Sequence, residues 1–466
     1  MKFVDELPLN DDSISHQFSG WGRLDVHARR VRTLYMEPLH IVISPNIYLC
    51  IRAMRDSPLL PGLKNIYIPN KAHLDLPSAL FLASVSTLHM VHLEGGAISD
   101  RQFYVPFLTS LCVKSPGLLH LALRGAVLSG SVEPIYRFTE LKSLAICLRS
   151  PHLHPQHLHK LGQLPHLLDL IIDTGDVDIS TIQPHTNPIP ISNSKFRQLR
   201  YLQILGIPTS ISCILNELRG LTNLNALKIH EMQDGSVDFS ADSFWNSSFE
   251  VISTFSAVED IEITQDFDPF LAGHRYTHSA CSLAPLFRLD NLKSFVIDFN
   301  RDMKFSGSDD DFRLLAGGFP KLKKFVVPGP PPSPLSNFGF RGFDTSGRTL
   351  ACLYYLSRGC PDLREIKIAL SSDISSNLNA IKNLPHPIVR NHHHPLEKLF
   401  IDTNFGQLQP IQLVQVARFL DHIFPNLSTL ETDNSKTTEA ANWTGIHELR
   451  LALQDARINS SSVSGI

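Results

Sequence analysis

The chain has no apolar run long enough to cross a bilayer, which takes about 20 consecutive apolar residues in a helix. Its opening residues, Met1 to Pro8, lack the long apolar core of a secretory signal. Cysteine is sparse: Cys50, Cys112, Cys147, Cys213, Cys281, Cys352 and Cys360 are odd in number and form no Cys-x-x-Cys pair. Neither a disulfide framework nor a zinc site is expected from them. Most of them sit in apolar surroundings and read as small buried hydrophobes, in a chain suited to a reducing cytoplasm or nucleus. Charge of one sign is missing too, since 42 Lys and Arg stand against 45 Asp and Glu, a formal net charge of −3. That balance gives no pull toward nucleic acid or an anionic membrane, so neither is expected as a partner.

Catalytic signatures are also absent. There is no G-x-x-x-x-G-K-[ST], no G-x-G-x-x-G after a strand, no H-E-x-x-H and no G-x-S-x-G. No catalytic residue, cofactor or metal is expected, and the chain reads as a binding protein rather than an enzyme. His152, His154, His157 and His159 fall in one short stretch, and His392, His393 and His394 are consecutive. Imidazoles can hold transition metals, but a specific site needs oriented supporting partners, and these histidines read as exposed loop residues. Asp309, Asp310 and Asp311 read as a solvated charge run.

What the chain does have is a repeat. Leu-x-x-Leu-x-(Ile/Leu) recurs almost from end to end. Clear copies are Leu63-Ile66-Ile68, Leu118-Leu121-Leu123, Leu141-Leu144-Ile146, Leu167-Leu170-Ile172, Leu199-Leu202-Ile204 and Leu224-Leu227-Ile229. They continue through Val258-Ile261-Ile263, Leu292-Phe295-Ile297, Leu322-Phe325-Val327, Leu363-Ile366-Ile368 and Leu396-Leu399-Ile401. Val31-Leu34-Met36, Val85-Leu88-Met90 and Leu427-Leu430 read as weaker copies. The step is about 22 to about 41 residues and averages about 30.

The spacing has a physical cause. The second and third apolar positions differ by two, so both point to one face of a short strand. Pro61, Pro116, Pro165, Pro320, Pro361 and Pro425 stand two residues before the first position, where proline stops a preceding helix. Upstream apolar stripes such as Leu350-Leu353-Leu356 and Leu413-Val416-Leu420-Ile423 have helical spacing. Each unit is strand, turn, helix, turn, and none can cover its own apolar face, so the units must stack. An ordinary α/β domain with chance Leu-x-x-Leu matches would not repeat the proline and helix in the same order. The fold class expected is α/β, a leucine-rich-repeat solenoid, with a curved parallel sheet on the concave side and helices on the convex side.

Residues 1–30 read as an N-terminal linker, 31–432 as the solenoid, and 433–466 as a C-terminal capping helix and tail, with Trp443, Ile446, Leu449 and Leu453 at helical spacing. Residues 233–248, 328–349 and 371–395 stretch the period and read as exposed loops. Residues flanking the second apolar position point away from the core. The expected partner-binding face therefore carries Tyr67, Asp169, Tyr201, Gln203, Lys228, His230, Asp260, Glu262, Lys367, Lys398 and Phe400. Asn65, His120, Ser143, Ala145, Lys324 and Glu365 occupy equivalent positions. About thirteen strands at about 4.8 Å spacing give an arc near 60 Å, ample for a protein interface of about 800 Å² per partner. An open sheet encloses no small-molecule pocket.

The segment Trp21-Gly-Arg-Leu-Asp-Val-His-Ala-Arg-Arg-Val-Arg-Thr-Leu34 resembles the stretch after the F-box in fungal F-box leucine-rich-repeat proteins. There a tryptophan, a short helix and an Arg-Val-Arg-x-Leu turn lead into the first strand. The Trp443 to Arg457 segment is similar to their C-terminal ends. The resemblance implies that the repeats hold a protein substrate, and that an F-box would hold a Skp-type adaptor of a cullin–RING ubiquitin ligase. Residues 1–20 are too short and polar for a three-helix F-box, so that module reads as missing or truncated and no adaptor-binding residue carries over.

Overall fold

The structure is a computed structural model that describes residues 18–36, 45–54, 57–68, 76–94, 101–125, 132–148, 155–175, 196–232, 241–265, 276–299, 303–327, 347–384, 393–403, 405–432 and 438–463. The chain forms two compact units, Met1–Ile172 and Asp173–Ile466. Each is an α/β leucine-rich-repeat solenoid.

In the first unit the strands are β1 (Thr33–Tyr35), β2 (Asn65–Ile68), β3 (Met90–Glu94), β4 (His120–Gly125), β5 (Ser143–Leu148) and β6 (Asp169–Asp173), side by side in chain order. The pairs β1–β2, β2–β3, β3–β4 and β4–β5 are parallel. Register aligns Leu34, Ile66, Val91, Leu121 and Leu144 in one row, fully buried from Ile66 onward. Helices Phe18–Ala28, Pro45–Ala53, Leu76–Leu82, Arg101–Lys114 and Pro155–Leu161, with a 3-10 turn at Glu133–Arg137, alternate with the strands.

In the second unit β7 (Tyr201–Gly206), β8 (Ala226–Glu231), β9 (Asp260–Gln265), β11 (Ser294–Phe299), β13 (Lys324–Val327), β14 (Glu365–Ile368), β15 (Lys398–Ile401) and β16 (Thr429–Glu431) run in that order. All are parallel, and the core row is Leu202, Leu227, Ile261, Phe295, Phe325, Ile366, Leu399 and Leu430. β10 (Tyr276–Ser279), between β9 and β11, and β12 (Met303–Ser306), between β11 and β13, pair with each other apart from this sheet. Burying each of these aliphatic or aromatic side chains contributes about 1.5–3 kcal/mol, and only stacking supplies the cover.

Register is locked by a recurring main-chain device. The first apolar residue of a repeat donates its amide three residues back, as Leu363 does to Cys360 and Leu322 to Phe319. The next two amides then share one carbonyl of the preceding repeat: Arg364 and Glu365 on Lys323, Lys323 and Lys324 on Lys293, Lys293 and Ser294 on Glu259. Pro320, Pro361 and Pro425 lie just past the helices Asp309–Gly318, Ala351–Gly359 and Pro410–Ile423, where their missing amide is not needed. The helix Thr438–Val463 covers the end beside β16. Trp443 donates to the Thr403 carbonyl over 3.3 Å, and the buried Arg450 guanidinium bonds the Leu427 carbonyl.

Several expectations need correction. The copy near residue 88 is Leu88-Val91-Leu93, all three buried, and Met90 faces outward. Asp309–Asp311 are not a solvated loop. They open a helix, where Ser308 and Asp311 form a capping box and Asp309 accepts from Thr349, because carboxylates suit helix N-termini. The stretch 371–395 contains the helix Ile374–Lys382, capped by Asp373, and Asn377 within it is buried. Part of 233–248 belongs to the helix Ala241–Ile252, and Arg348 and Thr349, placed in a loop by sequence, are buried. Residues 328–346 and 385–392 lie outside the described residues. Of the cysteines, Cys352 and Cys360 are buried, Cys112, Cys147 and Cys213 are half-buried and Cys50 is exposed, so burial holds for only part of the set.

Candidate functional site

Strand alternation sends every second side chain to the face opposite the core. Each residue expected on that face is there: Tyr67, Asp169, Tyr201, Gln203, Lys228, His230, Glu262, Lys367 and Phe400 are half-buried, and Asp260 and Lys398 are exposed. Register groups them. In the second unit Tyr201, Ala226, Asp260, Ser294, Lys324, Glu365, Lys398 and Thr429 form one outward row. Gln203, Lys228, Glu262, Val296, Val326, Lys367, Phe400 and Glu431 form the next.

This second face is rich in charge and pairs much of it internally. Lys228 lies 2.6 Å from Glu262, and Lys324 lies 3.0 Å from Glu365. The hydrogen bond to Glu262 raises the pKa of the Lys228 ammonium. Partial burial, with Glu259 nearby, pushes the Asp260 carboxyl up, against the pull of Lys293 and Lys228. Tyr201 donates to Gln203 over 2.9 Å, and His230 shares a 2.7 Å hydrogen bond with Thr264.

The first unit presents a different surface. One row reads Tyr35, Tyr67, His92, Ala122 and Ala145, and the row beside it Thr33, Asn65, Met90, His120 and Ser143. Tyr35, Tyr67 and His92 form an aromatic ladder, with ring centroids 5.8 and 5.7 Å apart. Tyr67 donates its hydroxyl to the Met90 sulfur over 3.0 Å. Burial, reinforced by Arg124 and opposed by Glu94, lowers the pKa of His92. His92 escapes a reading of the sequence because the copy at residue 88 is taken three residues out of step, whereas Tyr35 flanks Leu34 of the Val31-Leu34-Met36 copy and was legible there. The correct triplet, Leu88-x-x-Val91-x-Leu93, was present.

The histidine clusters do not form a common site. His152, His154 and His392 lie outside the described residues. His157 and His159 sit half-buried on the helix Pro155–Leu161. His393 is exposed, but His394 is buried, which corrects its reading as a loop residue. It accepts from the Leu396 amide through Nδ1 at 3.2 Å and packs on Phe424. Burial lowers its pKa to about 4. Among the described residues no group of three or more His, Cys, Asp or Glu is placed to hold a metal. No described helix is long and apolar enough to cross a membrane.

No family model matches the chain, and no curated protein matches it in sequence. Among solved structures it is similar to a leucine-rich-repeat protein of Leptospira interrogans, at 14% identity over 89% of this chain and 86% of that one, with a TM-score of 0.35. It is also similar to a chain of the yeast Rad7 and Elc1 complex, at 13% identity over 66% of this chain and 70% of that one, with a TM-score of 0.32. The assignment of fold rests on strand register and repeat spacing.

Proposed function

We propose that this chain is a protein-binding scaffold whose partner lies on the outward strand rows, and that it serves as the substrate-recognition part of an F-box subunit of a cullin–RING ubiquitin ligase. The binding role rests on one observation: aromatic, amide and charged side chains stand in register on strands that the main chain holds rigid. Such a surface is preorganised, so little ordering entropy is lost on docking. The ligase role rests on the Trp21 to Leu34 segment. Its helix Phe18–Ala28 runs through residues 29–32 into β1, the order that the resemblance implies. A Skp-type adaptor and cullin join the assembly where an F-box precedes this segment, in the cytoplasm or nucleus.

Affinity purification of the tagged full chain tests both roles. A stoichiometric protein partner, lost when outward strand residues such as Tyr67 are replaced, is expected for the first. Cullin in the same eluate, and a partner that outlives its normal turnover when this chain is deleted, are expected for the second. A bound partner with unchanged turnover and no ligase subunit would leave a stand-alone binding protein.

A further inference from the structure

The two units divide their outward faces by chemistry, and this points to which of them takes the partner. Among the twelve positions of the two outward rows on β1 to β6, Asp169 is the one carboxylate, and none is Lys or Arg. The corresponding rows of the second unit carry Lys228, Asp260, Glu262, Lys324, Glu365, Lys367, Lys398 and Glu431, with Lys228 and Lys324 already bridged to carboxylates. A partner landing there would have to strip water from charges that gain little new from it. A partner landing on these two rows of the first unit meets aromatic rings and small side chains, the composition that carries binding energy at interface centres, with the charges of Glu94 and Arg124 at the strand ends beyond them.

We infer that the outward face of the first unit is the docking surface, and that it takes an extended segment of another protein bearing apolar side chains and one basic side chain, with no acidic ones. This rests on the protein-binding reading above. The ladder Tyr35–Tyr67–His92 provides the apolar anchor. Its rings follow the strand spacing, and Tyr67 is oriented by its bond to Met90. Ala122 and Ala145 continue the row as a shallow floor. At the far side burial disfavours the bare charge of Asp169, and the His120 ring on the same outward row offsets this only in part. A Lys or Arg of the incoming segment supplies a full countercharge, whereas an acidic residue there is repelled. From β1 to β6 the face is about 24 Å wide, the span of about seven extended residues.

Panning a random-peptide phage library on the full chain tests this without knowing the natural partner. Enriched peptides are expected to be rich in aromatic or aliphatic residues, to contain Lys or Arg, and to lack Asp and Glu. Their affinity for Tyr67→Ala and for Asp169→Lys should fall by about ten-fold or more, and stay level on the double variant Lys228→Ala, Glu262→Ala. Asp169→Lys changes an outward side chain at a half-exposed position, so its effect reads binding even if Tyr67→Ala weakens the fold, which circular dichroism reports. Acidic peptides, peptides lost on the Lys228/Glu262 variant, or no enrichment would each overturn the inference. Capture on the second unit would still leave a protein-binding chain, so the two readings fail separately.

Discussion

Gln265 donates its side-chain amide to Glu231 over 3.2 Å, and both groups are buried at the ends of neighbouring strands β9 and β8. Burial raises the Glu231 carboxyl to about 7, and hydrogen bonds from Trp245 and Gln265 pull it back only in part. The folded chain therefore holds a proton that the unfolded chain has already released. Glu231 contributes its full stability below the ordinary carboxyl range and loses it as pH rises through about 7. The stability advantage of the wild type over Glu231→Gln should therefore shrink between about pH 5 and about pH 8, read as the difference between their unfolding midpoints. A constant difference would mean that Glu231 is ionised or solvated in the folded state.

His394 works in the opposite direction. Burial holds its pKa near 4, and its Nδ1 accepts the Leu396 amide. The folded state takes up fewer protons than the unfolded one, so stability present above the ordinary histidine range is lost as pH falls toward about 4. A variant His394→Gln should lose less stability than the wild type when the pH is lowered over that window. Proton titration of His394 by NMR near the value of a free histidine would contradict this.

Gly359 ends the helix Ala351–Gly359 against its neighbour. A Cβ there would come within 2.5 Å of the Ala316 carbonyl oxygen and 2.7 Å of the Ala316 Cβ. Backbone cannot yield as a flexible side chain does, so Gly359→Ala should cost about 1–3 kcal/mol by overpacking. Adding Ala316→Gly removes only the Cβ contact and leaves those with the Ala316 carbonyl carbon and oxygen, so denaturant titration should show partial recovery only.

Leu88, Val91 and Leu93 point into the core and Met90 points out. Leu88→Ala should cost about 2–5 kcal/mol through the cavity it leaves, while Met90→Ala should stay within about 1 kcal/mol because little burial is lost. Comparable losses at the two positions would mean that β3 is registered as Val85-Leu88-Met90.

The amino-acid order alone determined the class of structure and most of the outward face. Period-two alternation is a property of three or four neighbouring residues, so Lys228, Asp260 and Phe400 could be assigned a side without knowing what lay beside them. The prolines and helical stripes are equally local. Tertiary structure decided whatever depended on a neighbouring repeat. Leu88 fits two triplets, and pairing of β3 with β2 and β4 chose between them. His394 and Arg348 look like loop residues until Phe424 and the flanking helices cover them, and Asp309 becomes a helix partner only because Thr349 reaches it from 40 positions away. The aromatic ladder of the first unit and the ion pairs of the second likewise come from side chains of different repeats, which only stacking brings within reach of one another.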